Sequence, residues 1–373
     1  GYAPEPVLLP DPQPETLACG ALLKNTITLT RSNRAFVSPY IGDLENLDTY
    51  ESFKSTIAHF ENLYQINPQV VACDLHPDFL SSQFAQEYAL QKQLPLFRVQ
   101  HHHAHLAACL AENNWRGDQA IGLCYDGTGL GDDDAIWGGE VLVGGYTDCR
   151  REAFLEYMPL PGGDAAIHKP YRIALAYLLA LGLPLDRSLP PVAYCPAVEL
   201  SVLPRQIEKQ LNTVFTSSMG RLFDAVAALI GVCCEISYEG QAAIELENIA
   251  DPECSESYRM VLEPPQIRLR GLFEQVLADL RQGVSPPTIS ARFHNTLARL
   301  SLTICQQFGV ELGINDIALS GGVWQNKTLF EKTNVLLVKS GFKIFSHRIL
   351  PTNDGCISYG QAVIAGTKAM ERK

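Results

Sequence analysis

No stretch of this 373-residue sequence approaches the roughly 18 uncharged apolar residues that a membrane-crossing helix needs. The opening GYAPEPVLLPDPQPE has no basic flank and no apolar secretory core, so it is not a signal peptide. Its five prolines read as a linker over residues 1–17, and Gly1 in place of Met suits a piece of a longer protein. Cysteine is present eleven times but never as C-x-x-C, and its one close pair is the adjacent Cys233-Cys234. That disfavours a zinc ribbon and a secreted disulfide framework, and fits reduced thiols in a cytoplasmic protein. Basic residues are in deficit, 29 against 41 acids for a formal charge of −12, which disfavours a nucleic-acid partner. A P-loop, a G-x-G-x-x-G fingerprint and H-E-x-x-H are all missing. Short repeats and low-complexity blocks are missing too.

What is present is ordinary globular composition, 46% hydrophobic and 19% charged. Residues 68–76 (PQVVACDLH), 119–126 (QAIGLCYD) and 316–323 (DIALSGGV) read as short buried strands ending in small or acidic residues. Residues 135–146 (AIWGGEVLVGGY) read as strand, glycine turn or bulge, and strand. Helical periodicity lies over 50–63, 104–112, 169–181, 220–231, 288–308 and 326–341. Intermixed strands and helices make the class α/β. A composition break at NNWRGD divides a first lobe, 1–117, from a second, 118–373, with the last helix free to pack back on the first.

Four of the nine histidines sit in VQHHHAH, residues 99–105. His101 and His105, at i and i+4, share a helix face and could share one metal ion; a solvent-facing polar cluster is the plainer alternative. Asp126 ends an apolar strand and leads Gly127-Thr128-Gly129, where backbone N–H groups can approach a phosphate. Alone, that segment is as readily a surface turn. Ser320-Gly321-Gly322 precedes a helix whose first residue, Asn326, could be an N-cap or turn to a ribose or base. Asn353-Asp354-Gly355 offers a further carboxylate in a turn.

In this order, HHHAH, YDGTG, SGGVWQN and TNDG resemble the carbamoyltransferase family that includes the hydrogenase maturation factor HypF, the antibiotic O-carbamoyltransferase TobZ and, more distantly, the tRNA threonylcarbamoyl transferase TsaD. The nearest likeness is to the C-terminal TsaD-like domain of HypF. ACGALLKNT (18–26), DLHPDFLSS (74–82), PGGDAAIHKPYRIA (161–174) and ARFHNTLA (291–298) agree as well, so the likeness spans nearly the whole chain.

The resemblance implies an actin/Hsp70/sugar-kinase-like (ASKHA) fold with two lobes around a nucleotide cleft. It implies a divalent metal, iron or zinc, on His101, His105, Asp126 and Asp354, the first three being catalytic. TsaD has D-N-G where this chain has N-D-G, so the acid at Asp354 is displaced by one place. Implied contacts to an ATP or AMP moiety are Gly127, Thr128, Gly129, Asp224, Gly240, Glu245, Ser320, Gly321, Gly322 and Asn326.

The implied reaction takes the carbamoyl group from carbamoyl-adenylate to the C-terminal cysteine thiol of HypE, toward a cyanide ligand of nickel–iron hydrogenase. The acceptor supplies the nucleophile, in keeping with the lack of a nucleophile motif here. His102 or His103 could assist thiol deprotonation, and Lys169 and Arg172 could meet carbamoyl or phosphate oxygens. The YrdC-like domain expected to make the adenylate is not visible in the sequence, so transfer alone is expected. Rival readings are a TsaD-like tRNA enzyme, a small-molecule kinase of the same fold, a metallopeptidase lacking its glutamate, and a nucleotide-driven binding module.

Overall fold

Two sheets organise the chain in a computed structural model that describes residues 5–371. The first contains β1 (Val7–Gln13), β2 (Thr16–Ala18), β3 (Thr28–Val37), β4 (Val70–Asp74) and β5 (Leu96–Val99), in the order β1-β3-β2-β4-β5. Side chains alternate across a strand, and β4 uses both faces. Val71 and Cys73 pack toward the helices Leu47–Tyr64 and Leu80–Lys92, while Val70 and Ala72 meet Ala362 and Ala365 of the last helix, Ile357–Glu371.

The expected linker is corrected here. Val7–Gln13 is a strand, antiparallel to β3. Pro10 and Pro12 fit because β1 lies at the sheet edge, where a missing N–H costs no ladder bond. Val7 and Leu9 are buried in a cluster with Val99, Ile357 and Val363, and Gln13 donates to the Val363 carbonyl at 3.2 Å. Residues 1–4 lie outside the described residues. Leu9→Ala is expected to cost about 2–4 kcal/mol, as for a core leucine. A lowered urea midpoint checks this; an unchanged midpoint would return the segment to a linker.

The second sheet contains β6 (Ala120–Leu130), β7 (Ile136–Gly144), β8 (Cys149–Leu155), β9 (Met158–Pro161), β10 (Thr213–Thr216), β11 (Val261–Glu263), β12 (Gln266–Arg268), β13 (Asp316–Ser320) and β14 (Lys343–Ser346). Its main path runs β11-β12-β8-β7-β6-β13-β14, with β10 joining β7 to β9. β6 lies antiparallel to β7 and parallel to β13, whose last residue, Ser320, pairs with Cys124, so Asp126, at the bulge within β6, stands just past the carboxyl end of β13. Open α/β sheets present ligand sites at that edge.

The last helix completes the first lobe. Gln361 accepts from Gly20 N at 2.8 Å, and Ser358 bonds Thr26 and Thr28. Asp354 just precedes this helix, so the packing carries a carboxylate from the end of the chain to the first sheet. No helix among the described residues is long and apolar enough to cross a membrane.

Candidate metal and nucleotide site

The histidine cluster is helical from its first member. Gln100 is the N-cap, its side chain accepting from His103 N at 2.9 Å, and the helix runs His101–Glu112. Its start lies three residues ahead of the periodic signal because the cap, not the apolar pattern, sets the first turn. His101 and His105 are 2% and 0% exposed, with ring centroids 5.1 Å apart. Asp74 ends β4 opposite Val99 of β5, which places its Oδ2 2.8 Å from His101 Nδ1. A carboxylate at Nδ1 accepts the Nδ1–H hydrogen bond, which keeps the proton there and leaves the Nε2 lone pair facing outward. His101 Nε2 is buried and has no hydrogen-bond partner.

Two acids face that atom. Asp126 stands where the β6–β7 register shifts, and its Oδ1 accepts from Gly127 N at 2.8 Å and Gly322 N at 3.0 Å. Its Oδ2 lies 2.9 Å from His105 Nε2 and 3.5 Å from His101 Nε2. Asp354 Oδ1 is 3.7 Å from each of these nitrogens. Asn353 instead turns its side chain onto Gly355 N, so the displaced acid of N-D-G is the one that reaches the cluster. The four ligand atoms lie within 4.8 Å of one another.

This set fits a divalent cation. Ligands about 2.1 Å from a tetrahedral ion stand ~3.4 Å apart, within the range of distances here. Two imidazoles and two carboxylates suit zinc or iron(II). Burial disfavours charge on both imidazoles, yet Asp74 and Asp354 hold His101, and Cys356 and Asp126 hold His105, well above the ordinary value. Burial opposes ionisation of the acids, and the two imidazoles nevertheless keep Asp126 well below its usual range and Asp354 at about 2.

Glycine is required where the strands close on this cluster. Gly321 has φ +109°, and a Cβ there would lie 2.2 Å from the Tyr125 carbonyl oxygen. A Cβ on Gly129 would lie 2.6 Å from His102 and 2.8 Å from His101, so only glycine lets the β6–β7 hairpin rest on the histidine helix. Gly127, Thr128 and Gly322 remain partly exposed at the rim.

The other expected contacts divide. Asp224 is 2% exposed and takes Arg221 Nε at 2.6 Å, while Arg221 Nη1 reaches the Gly127 carbonyl at 3.4 Å. Burial lifts the Asp224 carboxyl above its usual value despite that guanidinium. Gly240, with φ +77°, caps the helix Gln241–Asn248, and Glu245 accepts from Gln241. Ser320 corrects the expectation of a nucleotide contact: its hydroxyl is buried behind His105 and bonds His347 at 2.8 Å. Asn326 is an N-cap, its Oδ1 accepting from Leu329 N at 2.8 Å and its Nδ2 lying 3.0 Å from His294. Both ends of its amide are thus engaged inside the protein rather than turned to a ribose.

His103 is corrected too, because its Nε2 bonds the Gly145 carbonyl at 2.8 Å, away from the cluster. Burial drives its pKa down to about 4. His102 keeps an unpartnered buried Nε2. Arg172 is tied to Glu199, Gln206 and the Pro161 carbonyl.

Sequence reasoning missed Asp74, Arg221 and Lys24 as site residues. Lys24, with φ +46°, reaches from the first lobe to Glu239, beside Gly240, at 2.5 Å. Its pKa is raised: burial works against the charge, and Glu239, with smaller contributions from Asp354 and Asp126, outweighs it. In the sequence Lys24 was visible only as part of ACGALLKNT.

Comparison with known proteins gives the family and the fold. Residues 11–112 match the family model of the HypF Kae1-like domain, and residues 122–361 match that of the carbamoyltransferase Kae1-like domain, second subdomain. The carbamoyltransferase HypF of a Synechocystis species is 38% identical over 97% of this chain and 48% of its own length. A carbamoyltransferase HypF homolog of Cupriavidus necator is 36% identical over 94% of this chain and 91% of its own. A crystal structure of full-length HypF in the phosphate- and nucleotide-bound form superposes with a TM-score of 0.92 at 40% identity, over 98% of this chain and 57% of that one. The chain therefore spans about half the length of most curated relatives it matches. The two-lobed architecture is the actin/Hsp70/sugar-kinase-like fold. By sequence, fold and matched residues, the chain belongs to the HypF carbamoyltransferase family, as its Kae1-like domain.

Proposed function

We propose that this chain carries out carbamoyl transfer from carbamoyl-adenylate to the C-terminal cysteine thiol of HypE, supplying the group that becomes a hydrogenase cyanide ligand. The observation that carries the reading is the convergence of His101, His105, Asp126 and Asp354 within 4.8 Å, beside the glycine turns. A divalent cation on these four residues, iron or zinc, would neutralise phosphate charge and polarise the carbamoyl carbonyl. Asp74 holds the His101 ring with Nε2 toward that position. Lys24 and Arg221 border the same rim and supply positive charge to an anionic donor.

Among the described residues, none is placed to carry the carbamoyl group covalently. Cys356 Sγ lies 3.4 Å from His105, but at Nδ1, away from the cluster, and is wholly buried. The acceptor's sulfur therefore forms the new S–C bond directly. The C–O bond to AMP breaks, AMP leaves with the electron pair, and the thiol proton goes to water or buffer.

The test is to mix the purified chain with synthetic carbamoyl-adenylate and HypE. HypE should gain one carbamoyl group on its terminal cysteine, with AMP released one for one. HypE left unmodified while tRNA or a small hydroxyl compound is carbamoylated would contradict the reading. Given ATP and carbamoyl phosphate instead, these 373 residues are expected to release no pyrophosphate; release would contradict a transfer-only role. Lys24→Met should raise KM for the adenylate about 10- to 100-fold, the worth of one charged hydrogen bond. An unchanged KM would remove Lys24 from the donor site.

A further inference from the structure

Both imidazoles facing the cluster lead back to a buried carboxylate, by different routes. His101 reaches Asp74 directly. His105 has no carboxylate at its Nδ1; Ser320 Oγ and Cys356 Sγ each lie 3.4 Å from that atom. Ser320 Oγ is 2.8 Å from His347 Nε2, and His347 Nδ1 is 3.0 Å from Glu112 Oε2. The His347 and Glu112 side chains are 3% and 1% exposed. Glu112 is the last residue of the helix that His101 begins, and it also accepts from the backbone N–H groups of Arg348, Ile349 and Leu350. That segment runs directly into the turn bearing Asp354.

The directions of these bonds follow from what each atom can do. A carboxylate only accepts, so His347 Nδ1 carries a proton toward Glu112. If His347 is neutral, its Nε2 accepts the Ser320 hydroxyl proton. If it is charged, Nε2 donates to the Ser320 oxygen. In either state that oxygen keeps a lone pair for His105 Nδ1–H. With the proton settled on Nδ1, the Nε2 lone pair of His105 points toward Asp126 and Asp354.

We infer that Ser320, His347 and Glu112 are positioning residues that hold His105 in its metal-binding tautomer and tie its orientation to the placement of the Asp354 turn. The inference rests on the cluster being a metal site. None of the three is required to touch substrate. Residues that orient an imidazole ligand from behind are worth about 10- to 100-fold in metal affinity.

The experiment titrates Co2+ into the metal-free chain and its variants, reading the visible Co2+ bands and competing the ion off with a chelator. Ser320→Ala, His347→Gln and Glu112→Gln should each weaken Co2+ binding about 10- to 100-fold and alter the band shape. Cys356→Ala, which removes only the Sγ contact at 3.4 Å from His105 Nδ1, should weaken binding less than Ser320→Ala. Thermal midpoint and AMP affinity, unchanged in the metal-free variants, separate loss of orientation from loss of fold; Ser320→Ala, the smallest change, keeps the test decisive if Glu112→Gln fails to fold. Wild-type affinity and spectrum in Ser320→Ala and His347→Gln would overturn the relay while leaving the metal site intact. Weakening in Cys356→Ala alone would overturn it in favour of the thiol. A wild-type chain that binds no Co2+ would overturn the metal reading itself, and the relay with it.

Discussion

His105→Ala is expected to abolish metal binding at the cluster and, on the proposed reaction, to slow carbamoyl transfer about a thousandfold or more. A Lewis-acidic cation contributes several kcal/mol to stabilising developing charge, and ~4 kcal/mol is about three powers of ten in rate. The substitution also strips Asp126 Oδ2 of its 2.9 Å partner and leaves Asp126 and Asp354 facing one another. Removing one member of a buried charge set costs more than the set contributes, so the variant should lose stability along with metal. Metal content after dialysis and the single-turnover rate check the effect. A variant that keeps one equivalent of metal and transfers at the wild-type rate would show that the imidazole pair is incidental.

Gly321→Ala is expected to be nearly as severe without touching any proposed metal ligand. Its φ of +109° is strained for a residue with a Cβ, and the Cβ would sit 2.2 Å from a backbone oxygen that cannot swing away. A disfavoured backbone region costs about 1–3 kcal/mol and overpacking a similar amount. The clash would push β13 from β6 at the point where Gly322 N donates to Asp126. Stability and metal affinity should therefore fall together. A thermal melt paired with a metal titration checks this, and a variant unaffected in both would mean that the turn is soft.

The four clustered residues were legible in the sequence because they sit in short segments with their own local signals. His101 and His105 share a helix face, Asp126 closes the apolar run of β6 at the bulge before that strand continues to Leu130, and Asp354 opens a 3-10 turn. The ordered motifs joined these segments into one site, which no periodicity could have done. What supports the ligands was not legible. Asp74 meets His101 only through the pairing of β4 with β5, and Glu112 meets His347 across 235 residues. Such partners are chosen by tertiary packing and leave no spacing rule. The prolines of β1 misled for the opposite reason: their local meaning, a break in regular structure, was overridden by a place at the sheet edge. Asn326 carried two local meanings, and the helix took the cap.

The most direct measurement is an anomalous-difference map recorded at the zinc or iron edge from crystals of the metal-loaded chain with AMP. The expected result is a single peak about 2.0–2.2 Å from His101 Nε2, His105 Nε2 and one oxygen each of Asp126 and Asp354, with the AMP phosphate on the glycine side. A peak bound elsewhere, or none at these four residues with nucleotide in place, would contradict it.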